Sequence, residues 1–133
     1  MRTIFLFACI SILVSAQEMP SPLTPCELVA GRREYDRKIV RVFGYVEASY
    51  HMTLLTSPDC RAAITLADSI SLPKESLYSV YSDGVQAMRA KNEHRKFRVV
   101  VEGRFNAALR RHGVVGSQLV ITRIMDARFE GGQ

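Results

Sequence analysis

The sequence predicts a mainly β protein, a small closed five-stranded barrel with a short N-terminal helix and one helix between strands three and four. Three observations carry that expectation. Five short stretches alternate apolar and polar residues at the period of a half-buried strand. One longer stretch between the third and fourth repeats its apolar residues at helical spacing. The skeleton Val-x-Val-x-Gly occurs twice, in IVRVFGYV at Ile39 to Val46 and in VVVEGRF at Val99 to Phe105, 59 positions apart (99 − 40). A glycine inside a strand marks a bulge, a sharp bend or the close approach of another backbone. A five-stranded barrel must bend its strands hard to close, and Gly44 and Gly103 stand where such bends are wanted.

The chain opens MRTIFLFACISILVSAQEMP. Arg2 precedes an apolar run from Ile4 to Val14, too short for a resident bilayer span, and Val14-Ser15-Ala16 places small side chains before a cleavage point. This reads as a signal peptide over residues 1–16, with export to the periplasm or the cell exterior. The alternatives are a buried N-terminal helix and a lipoprotein anchor at Cys9, where Phe7 is too bulky for a lipobox. No second long apolar run follows, so no transmembrane segment is expected in the mature chain. Loss of Arg2 lowers the formal charge from +5 to +4, from 17 basic and 13 acidic residues. That mild excess favours acidic partners without requiring them.

Residues 17–23 form a proline-rich leader expected to be flexible, and residues 24–129 the domain. Thr24-Pro25-Cys26-Glu27 has the form of a capping box, with proline at the first helical position, so a helix over Cys26 to Ala30 should follow and Gly31 should end it. Arg32 to Lys38 reads as a polar connection. Strand one is expected at Lys38 to Ser49, with Val40, Val42 and Val46 inward; strand two at Met52 to Thr56; and strand three at Arg61 to Asp68, with Ile64 and Leu66 inward. Phe43 and Tyr45 belong either on the surface or under the N-terminal helix. The helix runs from Pro73 to Lys91 on a face of Leu77, Val80, Tyr81, Val85 and Met88, with a possible break at Asp83-Gly84 and a stop at Asn92. Strand four is expected at Phe97 to Phe105, then a basic loop over Asn106 to Gly116, strand five at Ser117 to Phe129, and a frayed tail at residues 130–133.

Cys26 and Cys60 are the only cysteines left after cleavage, an even count that reads as a disulfide in an exported chain, the alternative being two free thiols. With CELVAG, YDRKIVRVFGYV, LLTSPDCRAAITL, the interposed helix, FRVVVEGRF and LVITRI, the chain resembles the OB-fold over Thr24 to Phe129. More narrowly it is similar to small exported bacterial OB-fold proteins of unassigned function, which share a helix cysteine and a hairpin cysteine. The resemblance implies that strands one and four pair, so that Gly44 and Gly103 bend neighbouring strands near one seam. It also implies a ligand face on strands two and three, flanked by Tyr50 and His51 on one loop and by Arg110, Arg111 and His112 on another.

Those five residues can grip an anionic ligand or a sugar by stacking and charge-assisted bonds. They can equally be solvated loop tips. The run Arg89 to Arg98 is a second basic cluster, and cations also gather at a helix C-terminus because its dipole favours them. No catalytic motif stands out. A secreted OB-fold nuclease needs an acidic calcium run after strand one, where this chain reads EASYHMTLL. Two cysteines and three scattered histidines give no metal-ligand spacing, and no cofactor is implied. The expected function is therefore a non-enzymatic binding or interaction module. Its partner would be an anionic polymer, a glycan or an envelope protein rather than nucleic acid. The alternatives are a nuclease-like hydrolase of anionic polymers and a ring-forming glycan-binding subunit.

Overall fold

The computed structural model describes residues 21–111 and 114–131. The expected signal peptide, the leader up to residue 20, His112 and the last two residues lie outside the described residues. In chain order the elements are α1 (Pro25–Ala30), α2 (Arg32–Tyr35), β1 (Ile39–Ala48), β2 (Thr53–Thr56), β3 (Ala63–Asp68), α3 (Ser76–Arg89), β4 (Lys96–Arg111) and β5 (Val114–Glu130). The strands close into a barrel in the order β1-β2-β3-β5-β4. Every neighbouring pair is antiparallel except β3 with β5. This is an OB-fold-like barrel, and its first and fourth strands pair as expected.

The repeated Val-x-Val-x-Gly skeleton pairs with itself. Val40 lies opposite Gly103, Val42 opposite Val101, and Gly44 opposite Val99. Each glycine thus faces a valine of the other copy, and all six residues point into the barrel and are buried. The glycines are needed for space. A Cβ on Gly103 would stand 2.3 Å from the Val120 carbonyl oxygen, and one on Gly44 would stand 2.8 Å from both the Thr56 carbonyl oxygen and the Leu55 side chain. At Gly103 the β4–β5 register also slips: Glu102 pairs with Arg123 while Gly103 pairs with Ile121, leaving Thr122 as the extra residue of a bulge. The bulge lets Ile121 and Ile124, three apart in a strand, both point inward.

The core forms on the period-two residues. Val42, Val46, Leu55, Ile64, Phe97, Val99, Val101, Phe105, Leu119 and Ile121 are almost wholly removed from water, each worth about 1.5 to 3 kcal/mol of burial for the larger side chains. The α1 residue Leu28 joins them. Thr24 caps α1 as its sequence predicts, its hydroxyl accepting the Glu27 amide at 3.2 Å, and Gly31 closes the helix. Cys26 and Cys60 are bonded, with Cα atoms 6.0 Å apart and 34 positions between them in sequence, so α1 is tied to the turn between β2 and β3. Leu23, expected in a flexible leader, bridges β1 in parallel: its amide donates to Arg41 O and its carbonyl accepts from Phe43 N. The β1 edge that β2 does not reach is covered there.

Several elements depart from expectation. Arg32–Tyr35 within the polar connection forms the one-turn helix α2. The long helix begins at Ser76 rather than Pro73 and is continuous through Asp83-Gly84. Gly84 lies against the core, where a Cβ would stand 2.2 Å from the Phe97 ring, so this glycine seats the helix rather than breaking it. Val80 is exposed and Tyr78 packs inward in its place. Lys91, not Asn92, makes the left-handed turn after the helix, at φ 58°. The expected loop at Asn106 to Gly116 is mostly strand: beyond Asn106 and Gln118, β4 and β5 pair only with each other, as a two-stranded arm reaching Arg111 and Val114. Glu130 ends β5 instead of fraying, because its carboxylate accepts from Tyr45 Oη and Arg98 Nη1, both at 3.0 Å. Phe43 and Tyr45 lie on the outer face of β1, edge to face at 5.7 Å, with the Arg98 guanidinium 4.5 Å from the Phe43 ring centre.

Two expectations for stability follow from this packing. Gly103→Ala should cost about 2 to 3 kcal/mol, because a backbone carbonyl stands at 2.3 Å, and Gly44→Ala about 1 to 2 kcal/mol, because its nearest obstacles, the Thr56 carbonyl oxygen and Leu55, stand at 2.8 Å. Gly116→Ala, which meets nothing within 4 Å, should stay within about 0.5 kcal/mol of the parent. Urea midpoints for the three variants check this, and equal costs at all three positions would refute the close-approach account. Reduction of the Cys26–Cys60 bond, which closes a loop with a separation of 34, should lower stability by about 3 to 4 kcal/mol without abolishing the barrel. Denaturation with and without reductant measures that loss.

Candidate functional site

Two recesses flank the seat of α3. The larger, about 590 Å³, is a groove between the β2–β3 turn and the segment that leads from α3 into β4. Its floor is Val46, Phe97 and the Cys60 end of the disulfide. Its rims carry Arg61 on one side and His94, Arg95 and Lys96 on the other, with Glu47 and Glu93 among them. The Glu93–Arg95 pair shapes the second rim. Arg95 donates through Nε and its own backbone amide to Glu93 Oε1, at 2.8 and 3.1 Å, and through Nη2 to Oε2 at 3.1 Å. Its guanidinium also lies 4.3 Å from the Phe129 ring centre. This clamp folds the residues after the helix into a tight turn that points His94 outward and returns the chain into β4. Among the described residues Arg61 and Lys96 make no ion pair, and the Lys96 ammonium stands 5.5 Å over the Tyr45 ring.

The smaller recess, about 330 Å³, lies between α3 and the ends of β2 and β3. Thr53, Asp68, Tyr78, Tyr81, Gln86 and Arg89 line it over Leu66 and Val85. Arg89 holds this wall together: Nε donates to Ser49 O at 3.1 Å, Nη1 to Gln86 Oε1 at 3.4 Å and Nη2 to Thr53 Oγ1 at 3.3 Å.

The backbone divides the ligand face expected from sequence. Tyr50 and His51 form the β1–β2 turn, both exposed and edge to face at 4.6 Å. Because Arg89 binds the backbone of Ser49 and the side chain of Thr53, that turn is held at the rim of the smaller recess. Arg110 and Arg111 pair with Val115 and Val114 near the end of the β4–β5 arm, and His112 lies outside the described residues. Arg98, which pairs with Tyr45 near the β1–β2 turn, is 12 residues (110 − 98) from Arg110 along β4, about 40 Å of strand contour. The arginines and the Tyr50–His51 turn therefore lie off opposite ends of the β1–β4 ladder. The outward positions of β2 and β3, Leu54, Thr56, Ala63 and Thr65, carry no charge. Sequence reasoning missed Arg61 as a partner of Lys96, since they are 35 positions apart (96 − 61) and meet only across the groove. The smaller recess left a trace: Ser82, Gln86 and Arg89 make a polar stripe at spacings of four and three beside the apolar face of α3.

Two carboxylates, Glu93 and Glu130, are held ionised by their partners. The Arg95 side chain draws the Glu93 carboxyl down to about 2, and hydrogen bonds from Tyr45 and Arg98 hold Glu130 below its ordinary range. Bonding to Glu130 in turn raises the Tyr45 phenol. Both carboxylates bind protons more weakly folded than unfolded, so their stabilisation is complete above the ordinary carboxylate pKa and is lost as pH falls through the lowered folded value, about 2 for Glu93. Glu93→Gln and Glu130→Gln should each flatten the acid limb of a stability profile between about pH 5 and pH 2. Midpoints that fall as steeply in both variants as in the parent would contradict the pairings.

No protein-family model and no curated protein sequence matches the chain. Two solved structures resemble its fold. OBody AM3L09 bound to hen egg-white lysozyme superposes with a TM-score of 0.52 at 17% identity, over 80% of this chain and 94% of that one. OBody AM2EP06 bound to hen egg-white lysozyme gives a TM-score of 0.51 at 16% identity over the same shares. At such identities the likeness is one of fold: the chain is built as a small OB-like β-barrel.

Proposed function

We propose that the protein is an exported, non-enzymatic binding module that takes an acidic partner, a polymer or an envelope protein, into the groove between the β2–β3 turn and the start of β4. The observation that carries this reading is the pair Arg61 and Lys96, two cations without acidic partners among the described residues, facing each other across about 590 Å³. Arginine and lysine on opposite rims can hold successive anionic groups, the arginine through its planar fork. The OB-like barrels with which the fold compares bind a protein, lysozyme, which accords with a binding role. Export is supported by the disulfide, which persists in oxidising compartments, and by the signal-like residues 1–16. Among the described residues no helix is long and apolar enough to cross a membrane.

A hydrolase reading has one point in its favour, because Glu47, Glu93 and His94 line the same groove. Glu93 is a poor proton acceptor there, however. Its carboxylate is clamped by Arg95 and held near 2, far from the neutral value that serves general catalysis. Among the described residues no three histidines, cysteines or carboxylates gather to hold a metal ion. The ring-forming reading needs an exposed apolar strand edge, and the Leu23 bridge covers part of the one on β1.

Heparin, as a model anionic polymer, tests the assignment. Arg61→Ala/Lys96→Ala should weaken binding about tenfold near 0.1 M salt, with the difference shrinking as salt screens the charges. Arg110→Ala/Arg111→Ala should leave binding within about twofold of the parent. Loss of binding in the arm variant with none in the groove variant would move the site to the arm and overturn this assignment.

A further inference from the structure

The end of the barrel where α2 runs into β1 carries charge that the groove does not use. Arg32 and Arg33 of α2, Arg37 and Lys38 after it, Arg104 of β4 and Arg123 of β5 are all exposed, and none of the six makes an ion pair among the described residues. The backbone fixes two of them. Arg37 makes a left-handed turn at φ 64°, its amide donates to Phe105 O at 2.7 Å, and Lys38 O accepts from Phe105 N at 3.0 Å. Arg104 stands opposite Ile39 across the β1–β4 ladder, and Arg123 opposite Glu102 across the β4–β5 ladder. Against these six cations stand Glu34 and Asp36, the latter accepting the Ala107 amide at 2.9 Å, while Glu102 is taken by Arg41 at 3.3 Å. Arg104 is eight positions from Lys96 along β4 (104 − 96), about 26 Å of strand, so this surface is remote from the groove.

An apolar opening lies among the cations. A recess of about 430 Å³ is walled by Leu23, Tyr35, Ile39 and Val40, with the Arg41–Glu102 pair at one side. Ile39 is 53% exposed on the outer face of β1, where Arg104 is its cross-strand neighbour. A large aliphatic side chain half in water, beside an apolar recess and flanked by cations, joins two chemistries on one surface. The charge alone suits any polyanion. The apolar part does not, because a sulfated or phosphorylated polymer gives Ile39 and the recess nothing to bury against. An anionic bilayer offers both, phosphates at the headgroup level and hydrocarbon a few ångströms beneath them.

From this juxtaposition we infer that the α2–β1 end of the barrel docks on an anionic phospholipid surface. Ile39 and the mouth of the recess enter the boundary between headgroups and acyl chains, and the six cations engage the lipid phosphates around them. The two contributions differ in kind. Attraction of the basic side chains is screened by salt, whereas burial of Ile39 is not. The docking surface rests neither on the groove nor on the acidic partner proposed for it.

Co-sedimentation of the full mature protein with vesicles tests the inference. Phosphatidylcholine vesicles with about 30% phosphatidylglycerol should bind it near 0.1 M salt, and pure phosphatidylcholine vesicles should not. Arg104→Gln/Arg123→Gln, on the sheet, and Arg32→Gln/Arg33→Gln, on α2, should each weaken vesicle binding about tenfold with unchanged urea midpoints. Ile39→Ser should weaken it about five- to tenfold while leaving heparin affinity within about twofold of the parent, which separates a bilayer from a soluble polyanion. Arg61→Ala/Lys96→Ala should keep vesicle binding within about twofold, so failure of the groove and failure of this surface are told apart. Equal binding to both kinds of vesicle, or to neither, would overturn the inference. So would full vesicle affinity in Ile39→Ser, which would make the surface a polyanion site, or full affinity in both arginine variants.

Discussion

The contact between Gly103 and the Val120 carbonyl is the constraint on which the barrel depends. With 2.3 Å between that oxygen and the place a Cβ would occupy, β4 and β5 approach as only a glycine allows. The approach coincides with the bulge at Thr122, which strengthens the local twist and turns β5 toward β3. From there β5 meets β3 in parallel, Leu66 beside Leu119, and the sheet closes. Gly44 does the corresponding service for β1, allowing Leu55 of β2 to come in beneath it as β1 passes from β4 to β2. Because the two Val-x-Val-x-Gly runs pair antiparallel, one local device serves both strands of the central ladder.

A second close contact places both recesses. Gly84 lets α3 rest directly on the Phe97 ring, which also packs on Phe129 at 4.9 Å. Seated there, the helix divides its surroundings. On one side Met88 and the Glu93–Lys96 turn border the groove, and on the other Tyr81, Val85 and Arg89 border the smaller recess. Arg89 then carries the helix position onward to the β1–β2 turn, through Ser49 and Thr53. Loops carry function most effectively when a rigid scaffold sets their position, and here one helix sets both.

Much of the fold was legible because it rests on local rules. Thr24 and Pro25 announce α1, the valines of β1 and β4 alternate, and two cysteines in a short chain with an export-like leader find each other. The unread parts depend on partners rather than on period. Asn106 to Gly116 reads as a basic loop by composition, yet it extends as strand because each half finds the other, a pairing pinned where Ser117 Oγ donates to Ala107 O at 2.9 Å. The helix α2 has four residues, below the length at which any period can show. Gly84 looks like a helix breaker until Phe97 is known to lie beneath it. The recesses depend on such partners too. Arg61 and Lys96 belong to different elements, as do Asp68 and Tyr78, and no spacing along the chain brings either pair into view.

Charge gives the remaining logic. On the outer wall of β1, β4 and β5 three cations are matched, Arg41 with Glu102 at 3.3 Å, Arg98 with Glu130 at 3.0 Å, and Arg128 with Asp126 at 3.6 Å, whereas the exposed Arg104 and Arg123 make no ion pair among the described residues. Such pairs near the surface contribute little stability, about 0 to 1 kcal/mol each. Arg98 also lies over the Phe43 ring and Lys96 over the Tyr45 ring, so both aromatics are taken up on the outer face of the sheet. At the end of the barrel beside α3, Arg61 and Lys96 border the groove without an ion pair among the described residues, and the proposed acidic partner rests on that pair.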